Sequence, residues 1–199
     1  MTYDVNLGIG LATGMAYHAP ANTALPAYPG EELAADWVEI GAVAEDGISW
    51  ATAQERTPLR NWAKEIERMM ASDETASVEA PFIHTTAETL KTLFGEDAVT
   101  VDESTADHGN LVSVDVGPDS MPNGEAFLFL MKDGDDLIML GTTKGFVTAV
   151  GDVDFAPDSA ITWTGTISAK SWKFMKESFP NRGDQRSNDE EEEDEDPNG

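Results

Sequence analysis

Cysteine is absent from the 199-residue chain. That excludes disulfides, thiolate metal sites and cysteine nucleophiles. Basic residues are scarce: 12 Lys+Arg stand against 38 Asp+Glu, a formal net charge of −26. Twelve cations cannot build a broad basic surface, so tight nucleic-acid binding is not expected, and an anionic membrane surface would repel the chain. No apolar run approaches the roughly 20 residues of a membrane helix. The N-terminus lacks a basic segment followed by an apolar one, so no signal peptide is expected. There are three histidines, His18, His84 and His108. They are scattered, without a paired carboxylate motif, and read as ordinary polar residues.

Forty per cent of the residues are hydrophobic, and a domain of about 150 residues buries roughly 70% of its unfolded surface. The chain divides by composition into three parts. Residues 1–36 are rich in Ala, Gly and Pro and lack periodicity, which predicts an extended N-terminal arm with at most one short strand near residues 5–9. Residues 37–182 predict a mainly β domain with one flanking helix. Residues 183–199 predict a disordered acidic tail, because residues 189–196 are all Asp or Glu and such a run repels itself and buries nothing.

Within the β domain, Val38, Ile40 and Ala42 alternate with polar or small residues, as do Ile48, Trp50 and Thr52. Glu45-Asp46-Gly47 lies between them, and the pattern reads as a hairpin. The stretch from Gln54 to Ala63 is too polar for a core. Residues 66–70 and 76–82 read as two short strands. Thr85 and Glu88 form a capping-box pair, Ala87, Leu90, Leu93 and Phe94 share one helical face, and Gly95 is placed to end the helix. Further strands are expected at residues 99–101, 111–116, 126–131, 137–140 and 145–150. The uninterrupted apolar run at 126–131 marks a strand covered on both faces. In the last clear strand Ile161, Trp163, Gly165 and Ile167 face a core, and Thr162, Thr164, Thr166 and Ser168 form an uncharged polar face. Residues 171–179 fit either a helix or a final strand.

Motifs that carry chemistry are weak. Gly8-Ile9-Gly10 with Gly14 lacks the preceding strand, following helix and spacing of a phosphate loop. Asp133-Gly134-Asp135-Asp136 and Asp152, Asp154 and Asp158 offer carboxylates to Ca²⁺, but neither set matches an EF-hand, and a tight turn explains the first. Arg182-Gly183-Asp184 spells an adhesion tripeptide within an acidic tail. No catalytic residue, cofactor site or metal site emerges.

The ordered string from Gly8 to Trp50 resembles the N-terminal region of the major tail proteins, or tail tube proteins, of long-tailed bacteriophages, particularly those of actinobacterial hosts. Its pieces are Ala12-Thr13-Gly14, Ala19-Pro20, Thr23-Ala24-Leu25-Pro26 and Gly41-Ala42-Val43-Ala44-Glu45-Asp46-Gly47. The strands from Ile66 to Phe82 and the helix running to Leu93-Phe94-Gly95 continue the resemblance, which covers roughly residues 1–180. The Asp/Glu run is no hallmark of that family, and the chain is too short for the extra immunoglobulin-like domain of some members.

The resemblance implies a β-sandwich or barrel of the tail tube type and a structural virion protein with no enzymatic activity. Its subunits would form stacked, usually hexameric, rings assembled in the host cytoplasm, with tape measure and tail terminator proteins as partners. Genomic DNA would pass through the lumen without specific binding. The arm and a long loop between early strands would bridge rings. That places Trp50, Arg56, Leu59, Arg60 and Trp62 at the inter-ring contact, where aromatics and Arg are enriched. Thr162, Thr164, Thr166 and Ser168 would face the lumen. One rival reading is a calcium-binding β-sandwich adhesion or carbohydrate-binding module using the aspartate loops, which would call for a secretion signal or disulfide. Another is a small enzyme with an acidic site.

Overall fold

The computed structural model describes residues 14–105, 109–117, 120, 122–133, 136–153, 155 and 160–178, and for residues 53–57, 67 and 69–74 the backbone alone. The strand expected near residues 5–9, the Gly8 motif, His108, Asp154, Asp158, Arg182-Gly183-Asp184 and the acidic run lie outside the described residues. The described residues form ten strands and one α-helix: β1 (Met15–Pro20), β2 (Val38–Ala42), β3 (Ser49–Arg60), β4 (Ile66–Phe82), α1 (Ala87–Phe94), β5 (Val99–Asp102), β6 (Leu111–Val114), β7 (Glu125–Asp133), β8 (Asp136–Val150), β9 (Trp163–Ala169) and β10 (Lys173–Glu177).

Eight strands join one antiparallel sheet in the order β2-β1-β7-β8-β9-β4-β3, and β10 adds along residues 137–141 of β8. The sheet closes on itself. Val43, just past β2, bridges Phe82 at the end of β4. The Ala44 N–H donates to the Pro81 carbonyl, and the Ile83 N–H to that of Ala42. The closed path leaves β3 outside, paired with β4 as one arm of a hairpin. β5 and β6 pair separately as a small ribbon against α1.

β7 shows why the apolar run at 126–131 is continuous. Phe127 and Phe129 point into the closed sheet with Ile40, Val78, Phe82, Leu140 and Ile167. Ala126, Leu128 and Leu130 point the other way, onto Ala19, Trp37 and Met139, with Leu25 and Leu33 packed alongside. Fully burying a side chain of this size stabilises by roughly 1.5–3 kcal/mol, so the aperiodic segment between β1 and β2 is held down by buried Trp37, helped by the partly buried Leu25 and Leu33. The segment read as an arm is therefore built into the fold from residue 14 onward. Residues 15–20 are the strand between β2 and β7. Ala16 and Ala19 are buried, and small residues buried on both faces leave no alternation to read.

The expected hairpin between residues 38–42 and 48–52 is not formed. The turn exists, with the Gly47 N–H donating to the Ala44 carbonyl and φ 74° at Gly47. Its arms diverge, β2 to β1 and β3 to β4. Alternation specified two strands but not their partners. Two pairs of expected short strands fuse, residues 66–70 with 76–82 into β4 and residues 137–140 with 145–150 into β8. The helix is capped one residue later than expected. Thr86, not Thr85, accepts the Thr89 N–H, and Glu88 pairs with Lys91 at 2.9 Å. Thr85 instead accepts the Trp163 indole N–H at 2.9 Å. Gly95 ends the helix as expected, its N–H donating to the Lys91 carbonyl. The ambiguous residues 171–179 contain a strand, β10.

Candidate assembly surface

β3 and β4 pair from Ser49↔Glu79 to Arg60↔Ile66, but β9 accompanies β4 only along residues 76–82. Residues 54–74 are thus a two-stranded ribbon with no further sheet partner among the described residues. At about 3.3 Å per residue its tip stands roughly 20–25 Å beyond the sheet. Such a ribbon alone is at best marginally stable in water. Pro58 is tolerated because β3 is an edge strand, where a missing N–H breaks no ladder.

The tip is closed by its own polar groups. The Asn61 side chain accepts the Glu65 N–H at 3.0 Å, the Arg60 guanidinium donates to the Lys64 carbonyl at 2.9 Å, and Lys64 takes a left-handed φ of 64°. The turn presents Trp62 fully exposed, with Leu59 and Ile66 about half exposed beside it. Arg60, Lys64 and Arg68 are exposed on the same turn and its flanking strands, Arg60 paired with Ile66 and Arg68 with Leu59. The structure thus groups Leu59, Arg60 and Trp62 and carries the Arg56 backbone on the same ribbon. It leaves Trp50 at the root, nine residues and about 30 Å from Leu59. There Trp50 stacks on Phe174 of β10 with ring centroids 6.5 Å apart and planes 8° from parallel. Ile66 and Lys64 were missed by the sequence reading. The cue was available: a basic stretch in an acidic chain, centred on a turn.

The polar face of β9 is as expected in its alternation. Gly165, Ile167 and Ala169 are buried, while Thr164, Thr166 and Ser168 are half-buried on the outer side; Thr162 lies just before the strand. Cross-strand pairing extends this face over Ser77 and Glu79 of β4 and Phe146 of β8. The Thr148 hydroxyl joins it, 3.1 Å from that of Ser168. Among the described residues the face carries one acid, Glu79, with Lys144 over the Phe146 ring at 5.6 Å on its margin.

The remaining polar groups serve the fold. His18 lies between Glu125, at 3.0 Å, and Glu88, at 3.8 Å, and links β1 to β7 and α1. His84 accepts the Ala42 N–H at 3.4 Å. Asp136 holds the Lys176 ammonium at 2.6 Å. That hydrogen bond, with one from Ser178, keeps the Asp136 carboxyl below the usual carboxylate range and raises the Lys176 ammonium. Burial, with Glu39 nearby, pushes the Tyr17 phenol up. Among the described residues no three His, Asp or Glu side chains are grouped to hold a metal ion, and no helix is long and apolar enough to cross a membrane.

Two solved structures are similar to this chain at low sequence identity. The cap of the anti-feeding prophage, its tube-terminating cap, is 8% identical over 89% of this chain and 97% of its own, with a TM-score of 0.46. A chain of the sheath–tube complex of an extracellular contractile injection system is 8% identical over 88% and 95%, with a TM-score of 0.40. No curated protein sequence matches. The family model described as phage tail tube protein matches residues 1–169, from the N-terminal segment through the last residue of β9, so the chain belongs to the phage tail tube protein family.

Proposed function

We propose that this structural tail protein polymerises with itself as stacked rings, hexameric in the simplest case, to form a conduit for genome delivery. The carrying observation is the β3–β4 ribbon. It is marginal alone, reaches beyond the sheet, and ends in exposed Trp62, Leu59 and Ile66 among basic residues. A monomer gains nothing from that tip, whereas a neighbouring ring would bury it. Leu59, Arg60 and Trp62 make the inter-ring contact, with Arg56 along the ribbon and Trp50 supporting its root. Thr162, Thr164, Thr166 and Ser168 face the lumen. Hydroxyls and a carboxylate dominate there, with cations only at the margin, where Lys144 sits over Phe146, so passing DNA meets few phosphate-binding groups. Tubes assemble in the host cytoplasm, with tape measure and terminator proteins setting length and end.

Electron microscopy of the purified chain across a concentration series tests this. Rings or tubes with an open centre are expected above a threshold concentration. Folded monomers at every concentration, with no seeding by preformed tail structures, would overturn it.

A further inference from the structure

The ribbon tip needs an acceptor, and the chain offers a complementary surface. Residues 56–68 hold four Lys or Arg against two Glu. Residues 96–116 hold six Asp or Glu and no Lys or Arg. This second segment contains the β5–β6 ribbon, where Val101 and Val112 are cross-strand partners and both are exposed. Leu111 and Val116 are exposed nearby, and Asp102, Glu103 and Asp115 are exposed at the ribbon's ends. Exposed valines on a small sheet, ringed by acids, fit an apolar tip ringed by bases.

The two surfaces cannot meet within one chain. The tip precedes Ile66 at the start of β4. The other end of β4, Phe82, leads within five residues into α1, against which β5 and β6 pack. Sixteen residue steps of strand put the two ends roughly 50 Å apart. A contact between different surfaces at opposite ends is heterologous, and when its rotation does not close it propagates as an open stack.

Resting on the tube reading above, we infer that the β5–β6 ribbon of one copy is the acceptor for the β3–β4 tip of the copy in the adjacent ring. The apolar contact is Trp62 and Leu59 against Val101 and Val112. Asp102, Glu103 and Asp115 meet Arg60, Lys64 and Arg68.

The absence of cysteine makes a cross-linking test clean. The full-length Ala63→Cys, Val112→Cys double variant is assembled and mildly oxidised. A ladder of disulfide-linked oligomers is expected on a non-reducing gel. Each single variant alone gives no ladder, and mixing the two gives a heterodimer. A charge-swap series gives an independent reading. Lys64→Glu with Arg68→Glu, or Asp102→Lys with Glu103→Lys, raises the critical concentration roughly tenfold, and the quadruple variant recovers most of that loss. Tubes that form normally without cross-links, with no recovery in the quadruple variant, overturn this acceptor and leave the tube reading standing. A folded wild type that never assembles overturns the tube reading and this inference with it.

Discussion

At the scale of single residues, the side chains that stabilise the body differ from those proposed to drive assembly. Trp62 is fully exposed on a turn fixed by Asn61 and Arg60. Trp62→Ala should therefore leave unfolding unchanged within about 0.5 kcal/mol. An interfacial tryptophan costs about 2 kcal/mol or more on truncation, so the critical concentration for assembly should rise by about thirtyfold. Sedimentation across concentrations measures it, and unchanged assembly would remove Trp62 from the interface. Gly165 is the reverse case. A Cβ there would lie 2.6 Å from Leu93 Cδ2 and 3.6 Å from a Phe82 ring carbon, and both side chains are buried. Gly165→Ala should overpack the seat of α1 and cost roughly 1–3 kcal/mol, seen as a lowered denaturation midpoint. The sequence showed Gly165 on the core face of β9. It did not show that glycine was needed there, because the neighbour that fills the space comes from a helix seventy residues away.

At the scale of elements, α1 and β10 depend on identifiable local bonds. Thr86 Oγ1 accepts the Thr89 N–H at 3.2 Å, and Thr86→Ala should cost about 1 kcal/mol in chemical denaturation with an unchanged m-value. β10 is pinned to β8 by Lys176 and Asp136. The lowered Asp136 carboxyl contributes stability above the ordinary carboxylate value, which is lost as pH falls through the lowered folded value. The raised Lys176 contributes below the ordinary lysine value and is lost as pH rises through its raised one. Amide protection in β10 should thus hold through neutral pH and decline below about pH 4, and Asp136→Asn should abolish that decline. A decline that persists in the variant would place the sensitive group elsewhere. Element types were readable where periodicity is local, as in α1, β7 and β9. Strand partners were not, since alternation at 38–42 and 48–52 is equally compatible with pairing each arm elsewhere. β1 was hidden by Ala16 and Ala19, whose burial is complete but whose side chains carry little pattern. The ribbon was half legible: its polarity excluded a core, but polar strands without core support resemble a loop in sequence. That Leu59, Arg60 and Trp62 share one exposed stretch was readable, while the root position of Trp50 depended on Phe174 arriving from β10.

At the scale of the whole molecule, charge constrains every arrangement of copies. Without the nine acids and one arginine of residues 184–199, the remainder still has 29 acids and 11 bases, a formal charge of −18. Packing many such copies around an axis concentrates repulsion, so the surface facing a narrow lumen is best one with few charges of its own. The β9 face meets that condition, with Thr164, Thr166, Ser168 and Thr148 around one acid among the described residues, Glu79. Thr148 is exposed on this face, and a single cysteine there would be unique in the chain. In dispersed Thr148→Cys subunits, both a small maleimide and a protein-sized maleimide conjugate should react. In assembled tubes the small reagent should still enter and label, while the bulky one should be excluded along the length and react only at open ends. Shearing the tubes, which multiplies ends, should raise labelling by the bulky reagent in proportion. If that reagent labels long tubes as fast as dispersed subunits, the hydroxyl face lies on the outside, and the lumen must be sought on another face of the closed sheet.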